Sequence, residues 1–405
     1  MIVACIVYNK CVRVYNIKKG KITLDYKKLK LYIFNMIDDS ILKQCPYNIL
    51  TYEVKEFCSN VKSCLTNLTR KNITHFNMTR KNILYKQTIT IEKANMNTNG
   101  FYITSMGKFI KCNNPNFKFS NIACDSKLMY DKINKTYTLY APQYIKGKVV
   151  NGRNKVVSID PGEKAFLAFY GLDHVGMIGE DIRIKILSVE KNIRQSQRNL
   201  SKTVAYFNNL KKDKSNNNIK KEKIKYRQKI RRIKKAIRKY YRRIGNIVKE
   251  LHNKAALFLC KNYDIILIPE FKTSEMVGNK TTLIKNKIKE DKEKIKKEVV
   301  NHEELNKELK RYKKRSVLNS RVKFVLNMLS HYKFRQHLLA KSEEYGCLVE
   351  IVTEEYTSQC CGKCGKLSKH YTKRMKKCPH CKFEIDRDFN GSRNIMIMNI
   401  NKILC

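Results

Sequence analysis

KVVSIDPGEKAFLAFYGL, residues 155 to 172, decides how the rest of the chain is read. β-branched residues crowd KVVSID (Lys155 to Asp160), and the run stops at Pro161-Gly162, a pair that ends a strand in a turn. AFLAFYGL (Ala165 to Leu172) and IRIKILSVE (Ile182 to Glu190) follow at strand length, so three consecutive strands are expected, the first closing on an acid. Downstream, YDIILIPEF (Tyr263 to Phe271) is an apolar run suited to a buried strand and closes on Glu270. CLVEIV (Cys347 to Val352) is a further short strand, and a terminal helix is expected from about Asn390 to Leu404, with Asp388 in DRDFNG at its mouth. That order can carry Asp160, Glu270 and Asp388 to one edge of a mixed α/β sheet.

The flanking segments differ in character. Residues 1 to about 50 show short apolar runs without a motif, whereas Val54, Phe57, Val61 and Leu65 recur at helical spacing between Leu50 and Leu68. KLMYDKINKTYTLYAP (Lys127 to Pro142) reads as a β-hairpin turning at Lys132 to Lys135. A long helical region covers about Lys191 to Lys261, and between Lys211 and Glu250 it holds 18 Lys/Arg against 3 Asp/Glu. Like charges so concentrated repel unless a polyanion neutralises them, which makes Lys225, Arg227, Arg231, Arg232, Lys234, Lys235, Arg238, Arg242 and Arg243 candidate nucleic-acid contacts. Tyr240 and Tyr241 can stack on bases or pack in a core. Lys280 to Arg315 is a charge-rich insertion, and Val317 to Tyr345 is helical again, with Phe324, Met328, Leu338 and Leu339 among its apolar positions. No internal repeat is present.

Composition narrows the partner. The 405 residues carry 85 Lys+Arg against 35 Asp+Glu, a formal net charge of +50, which points to a polyanion. Nucleic acid suits best, because each neutralised phosphate releases a condensed counterion. A membrane is not expected, since no stretch approaches the roughly 20 apolar residues that span a bilayer. MIVACIVYNKC at the start lacks a charged lead and a cleavage pattern, so no signal peptide and a reducing compartment are expected. Of 15 cysteines, eleven are scattered as buried free thiols would be, and four form a pattern.

That pattern is Cys361-x2-Cys364 and, thirteen residues on, Cys378-x2-Cys381. Two such knuckles suit one tetrahedral structural Zn²⁺ of the ribbon type, closed by four thiolates and therefore without an open position for chemistry. Cys360 adjoins the first knuckle and competes with Cys361, while His370 and His380 lie nearby.

The three acids suit other chemistry. Hard carboxylate oxygens hold Mg²⁺ or Mn²⁺, and two such ions cut phosphodiesters by activating a nucleophile and stabilising the leaving oxygen. Each acid alone has an ordinary reading as well: Asp160 as a turn residue before Pro-Gly, Glu270 as a solvated strand end, Asp388 as a helix cap.

VSIDPGEKAF (157 to 166), ILIPEF (266 to 271), LSHYKFRQHLLAKSEEYG (329 to 346), EEYTSQCCGKCG (354 to 365) and CPHCKFEIDRDFNGSRNI (378 to 395) together resemble the TnpB-type, or OrfB-type, transposon-encoded nucleases, most closely their eukaryotic and viral branch called Fanzor. The likeness runs from about residue 155 to the end and more weakly through SKLMYDKINKTYTLY (126 to 140). It implies an RNase H-like (RuvC) nuclease domain with a long helical insertion and an inserted four-cysteine zinc ribbon, preceded by an α+β N-terminal region with a β-hairpin. The corresponding segments are a wedge and recognition region at 1–150, a nuclease core at 151–356, the ribbon at 357–382 and the last catalytic segment at 383–405. It also implies RNA-guided, Mg²⁺-dependent cleavage of DNA, with two catalytic ions on Asp160, Glu270 and Asp388 and with guide RNA and target DNA as partners. Asp386 competes with Asp388, and the family pattern, an acid two residues before Asn390, favours Asp388. A catalytically idle nucleic-acid binder and a strand-transfer transposase are the rival readings.

Overall fold

The computed structural model describes residues 1–18, 20–82, 86–98, 100–102, 113, 117–132, 135–147, 155–212, 217–277, 318–368 and 374–401. The charged insertion at 280–315, His370 and part of the hairpin turn at 132–135 lie outside them. The chain divides into two compact units, Met1–Ile145 and Lys146–Cys405.

In the first unit, helix α1 (Ile2–Ile17), α2 (Tyr26–Phe34), the single turn α3 (Asp39–Leu42) and α4 (Tyr47–Thr69) occupy the first seventy residues. The expected amphipathic helix is α4, and Val54, Phe57 and Val61 are in the core. The three helices before it gave no motif because α1 is apolar on most sides, burying Val3, Val7, Cys11 and Val14 with residues between them, so no stripe stands out. Strands β1 (Gln87–Ile91), β4 (Ser126–Asp131) and β5 (Thr136–Tyr140) form an antiparallel sheet, the last two being the expected hairpin. The short pair β2 (Met96–Asn97) and β3 (Gly100–Phe101) lies between β1 and β4 in the chain.

The second unit is built on a five-stranded sheet in the order β10-β9-β6-β7-β8. Strand β6 (Val156–Pro161) pairs antiparallel with β7 (Leu167–Gly171), which pairs antiparallel with β8 (Val175–Ile178). On its other side β6 runs parallel to β9 (Ile265–Pro269), and β9 parallel to β10 (Leu348–Val352). The third strand is therefore Val175–Ile178, and Ile182 to Glu190, expected as a strand, is instead the start of helix α5 (Ile182–Lys212). Its buried residues Ile182, Ile186, Val189 and Ile193 fall at intervals of four, three and four, which is the period of a helix stripe, while Ile184 is 72% exposed.

Helix α5 and α6 (Asn217–Asn262) form a long antiparallel pair, with Tyr206 against Tyr226 at 4.5 Å toward its tip. A short turn α7 (Thr273–Val277) follows β9. The helix expected over Val317 to Tyr345 is two, α8 (Ser320–Leu329) and α9 (His331–Tyr345), because Ser330 takes a left-handed conformation between them. A two-stranded ribbon, β11 (Met375–Lys377) with β12 (Glu384–Asp386), leads into α10 (Arg387–Asn399), which begins three residues earlier than expected.

Both faces of the sheet are covered, as a parallel pair at its centre requires. Val157, Ile159, Ile266 and Ile268 share a core with α5, α6, α8 and α9, whereas Ile265, Leu267 and Val352 pack with Ile395 of α10 on the other face. Phe166 fills the first core, stacked between His252 and His331 at ring separations of 5.2 and 5.0 Å.

Candidate metal centres

Side chains alternate along β6. Val157 and Ile159 enter the helical core, so Ser158 and Asp160 face α10. Ser158 Oγ lies 2.6 Å from Ser392 O and 3.2 Å from Tyr170 O, tying α10 across β6. At the mouth of α10, Asp386 accepts from Asp388 N at 2.8 Å and from Arg374 Nε at 2.7 Å. Asp386 thus caps the helix and pairs with arginine. Asp388, one half-turn on, lines a cleft of about 360 Å³ together with Asp160, Gly162, Ser358 and Arg387, against an apolar wall that includes Phe271, Val322 and Leu326.

Asp160 sits at the floor of this cleft, where loss of hydration, then the charge of Asp388 and that of Glu354, push its carboxyl up to about 8, with Arg387 opposing. A β-carbon at Gly391 would overlap Asp160 Oδ2, so the carboxylate closes against α10 only because that helix position is glycine. Gly391, Glu354 and Arg387 were not picked out from sequence. For Gly391 a signal existed: glycine inside a helix costs about 1 kcal/mol relative to alanine and so points to a close approach.

Glu270 is placed differently. It follows Pro269 at the end of β9, and its carboxylate is exposed, 3.4 Å from Lys272 Nζ. The pairing of β6 with β9 ends at Ser158↔Leu267, and Glu270 lies just outside β9, so strand alternation does not hold its side chain. Its backbone is held: Arg335 Nη1 donates to Glu270 O at 2.8 Å, and Phe271, at φ +42, places its ring 4.8 Å from that of His331. Two of the three predicted acids therefore share a cleft, and the third stands beside the sheet end with its side chain turned to solvent.

The four cysteines converge. Among the described residues they are the one group of three or more His, Cys, Asp or Glu side chains within reach of a single ion, with all four Sγ atoms inside 4.8 Å of one another. Cys361 and Cys381 Sγ are 3.7 Å apart, as are Cys364 and Cys378. Tetrahedral Zn–S bonds of about 2.3 Å put sulfurs about 3.8 Å apart, so the donor set fits Zn²⁺. The backbone N–H of Cys381, then that of His380, draw the Cys378 thiol down to about 6, while burial and the other thiols of the cluster push Cys381 up, so the sulfurs share protons until an ion displaces them. Burial likewise raises Cys11 in the first unit, pushed up to about 12. Cys360 turns away, its Sγ donating to Gly365 O at 3.2 Å, and His380 is exposed.

On α6, Lys225, Arg227, Arg231, Arg232, Lys234, Lys235 and Arg243 are exposed, and Arg238 and Arg242 half-buried. Tyr240 packs against the core while Tyr241 is 38% exposed, so of the two only Tyr241 is available for stacking. Among the described residues no helix is long and apolar enough to cross a membrane.

Residues 331–395 match the Cas12f1-like TNB domain family, a span that includes α9, β10, the four cysteines and Asp388. A TnpB-like protein of Acanthamoeba polyphaga mimivirus is 25% identical over 364 residues, covering 89% of this chain. Over most of its length the chain is therefore similar to TnpB-like proteins. It spans 60% of that viral relative's length. The CRISPR-associated endodeoxyribonuclease Cas12f1 of Sulfoacidibacillus thermotolerans is 36% identical over 77 residues, 18% of each chain. A solved Cas12f1–sgRNA–target DNA complex aligns over 97% of this chain and 80% of its own, at 13% identity and a TM-score of 0.41.

Proposed function

We propose that this chain is a TnpB-type, metal-dependent DNA endonuclease of a mobile element, guided by RNA, with an RNase H-like (RuvC) core. The observation that carries the reading is the convergence of Asp160 and Asp388, far apart in sequence, on one cleft beside a sheet of order β10-β9-β6-β7-β8. Three antiparallel strands followed by two parallel ones is the arrangement an RNase H-like core requires. The likeness to the mimiviral TnpB-like protein supports it, and the 77-residue likeness to a CRISPR-associated endodeoxyribonuclease supports that reaction class.

Asp160 and Asp388 would hold Mg²⁺ or Mn²⁺, because a divalent cation offsets both the burial that chiefly raises the Asp160 carboxyl and the lesser repulsion from Asp388. Glu270 would join them by leaving Lys272, a short swing at a strand end whose backbone Arg335 fixes. Two divalent cations, if held there, would supply nucleophile activation and stabilisation of the leaving oxygen. The chain's own part is to fix the carboxylates, to shield one side of the cleft with the apolar residues of α8, and to keep Arg387 beside Asp388 at 3.3 Å. Zn²⁺ on the four thiolates would be structural.

For the partners, the exposed basic face of α6 suits a guide RNA. In the first unit, a cleft on α4 lined by Lys55, Lys62 and Arg70 with Ser59, Ser63 and Asn67 suits a phosphate backbone, and its lining includes no acid. Cleavage of a guide-matched DNA by the wild type in Mg²⁺, set against Asp160→Ala, tests the reading; equal activity in both proteins sinks it. RNA from the adjoining element should co-purify with the chain, and random cellular RNA in its place would remove the guidance. The solvent-turned Glu270 favours one second reading, a binder without cleavage, which tight RNA binding with no metal-dependent product would support.

A further inference from the structure

Helix α10 carries Asp388, and two asparagines one turn apart fasten that helix to the first cysteine knuckle. Asn390 and Asn394 are both buried, at 0% and 3% exposure. Asn390 Nδ2 donates to Cys360 O at 2.8 Å, and its Oδ1 accepts from Gly362 N at 2.9 Å. Asn394 Nδ2 donates to Cys360 O at 2.9 Å and to Thr357 O at 2.8 Å. Lys376 Nζ, from β11 of the ribbon, reaches the same Cys360 oxygen at 2.8 Å. The peptide joining Cys360 to the ligand Cys361 is thus the point where the thiolate cluster, the ribbon and α10 meet. On a neighbouring side of the helix, Gly391 touches Asp160 and Ser392 O receives Ser158. The first turns of α10 are clamped between the knuckle and β6.

We infer that Asn390 and Asn394 are positioning residues that make the placement of Asp388 against Asp160 depend on the occupancy of the four-thiolate site. The inference rests on the proposed nuclease reading for its consequence and on the hydrogen bonds for its existence. Without an ion, sulfurs 3.7 Å apart lose the charge that holds them together and the knuckle loosens. Two buried carboxamides then lose their partners, which a folded interior tolerates poorly, so α10 must shift or fray to find others. The structural metal would therefore license the catalytic one: a chain that has not acquired Zn²⁺ would be a nuclease with its acids out of register.

The test uses the full chain loaded with Zn²⁺. Hydrogen exchange of residues 387–394 is followed before and after a chelator removes the ion, and Mn²⁺ binding is measured by electron paramagnetic resonance with Asp160→Asn as the reference. Removing Zn²⁺ is expected to deprotect the first turns of α10 and to weaken Mn²⁺ binding at least tenfold. The double variant Asn390→Leu, Asn394→Leu keeps all four cysteines, and with Zn²⁺ bound it should show the same two changes. Unaltered exchange at 387–394 after Zn²⁺ removal overturns the inference, as does wild-type exchange and Mn²⁺ affinity in the Zn²⁺-loaded double variant. Should the double variant fail to fold, the wild-type chelation arm decides alone. Coupled exchange in a wild type that binds no Mn²⁺ would uphold the clamp and take down the nuclease reading instead.

Discussion

Asp160 is the residue on which the catalytic reading turns, and its raised pKa has a consequence that can be worked out by sign. With its carboxyl pushed up to about 8, the metal-free protein holds a proton there at neutral pH, and a cation must displace it. Mn²⁺ affinity is therefore expected to rise about tenfold per pH unit from pH 6 toward 8 and to level off above, with about one proton released per binding event. Calorimetry in buffers of different ionisation enthalpy measures both. In the absence of metal the same shift favours the fold at low pH, where Asp160 is protonated, and that advantage is lost as pH rises through about 8. Gly391→Ala drives a methyl group into the Asp160 carboxylate. Cleavage should fall about a hundredfold, as displacement of a reacting group by an ångström does, while the four thiolates still bind Zn²⁺. Activity within a factor of three of wild type would show that Asp160 can move without loss.

The core of the second unit holds two neutral histidines on either side of Phe166, and they set how its helices respond to acid. Burial lowers His252 of α6 to about 4 and His331 of α9 to about 3, from an ordinary 6.5. His252 Nε2 is 2.9 Å from Leu329 O, and His331 Nε2 is 3.1 Å from Gly162 O, in the turn after Asp160. The unfolded chain takes up protons below 6.5 that the folded one refuses. Stability contributed by these groups is present above 6.5 and drains away as pH falls through 4 and then 3, at up to about 1.4 kcal/mol per pH unit for each histidine. Chemical denaturation from pH 7 to 4 should show this slope, reduced in a His252→Gln variant. Elements of this core were legible where one local pattern ruled. β6, β9 and β10 lay where their β-branched runs put them. Ile182 to Glu190 misled because IRIKI alternates over five residues, a short window in which a strand and the first turn of a helix look alike. The stripe through Val189 and Ile193 that settles it needs a longer span.

At the scale of the whole molecule, a net charge of +50 is expected to make the proposed association with nucleic acid steeply dependent on salt. Lys234 and Lys235 are exposed on α6, away from the carboxylates in sequence and outside the cleft lining. Replacing both by alanine should reduce the slope of log affinity against log salt by about 1.4 for single-stranded RNA, at about 0.7 per phosphate contact, and should weaken all sequences alike. A filter-binding series across salt concentrations measures it; an unchanged slope would place the RNA elsewhere. Charge, knuckle spacing and strand runs are local or additive properties, so the amino-acid order by itself determined the strongly basic charge, the four-thiolate cluster and the sheet's principal strands. That the Glu270 carboxylate turns to solvent, that Gly391 admits Asp160, and that Asn390 and Asn394 grip the knuckle were decided only by the tertiary structure. The last two join residues separated by tens to hundreds of positions, and their meeting depends on the crossing of α10 over β6 and on two hydrogen-bonded carbonyls, which no sequence period encodes.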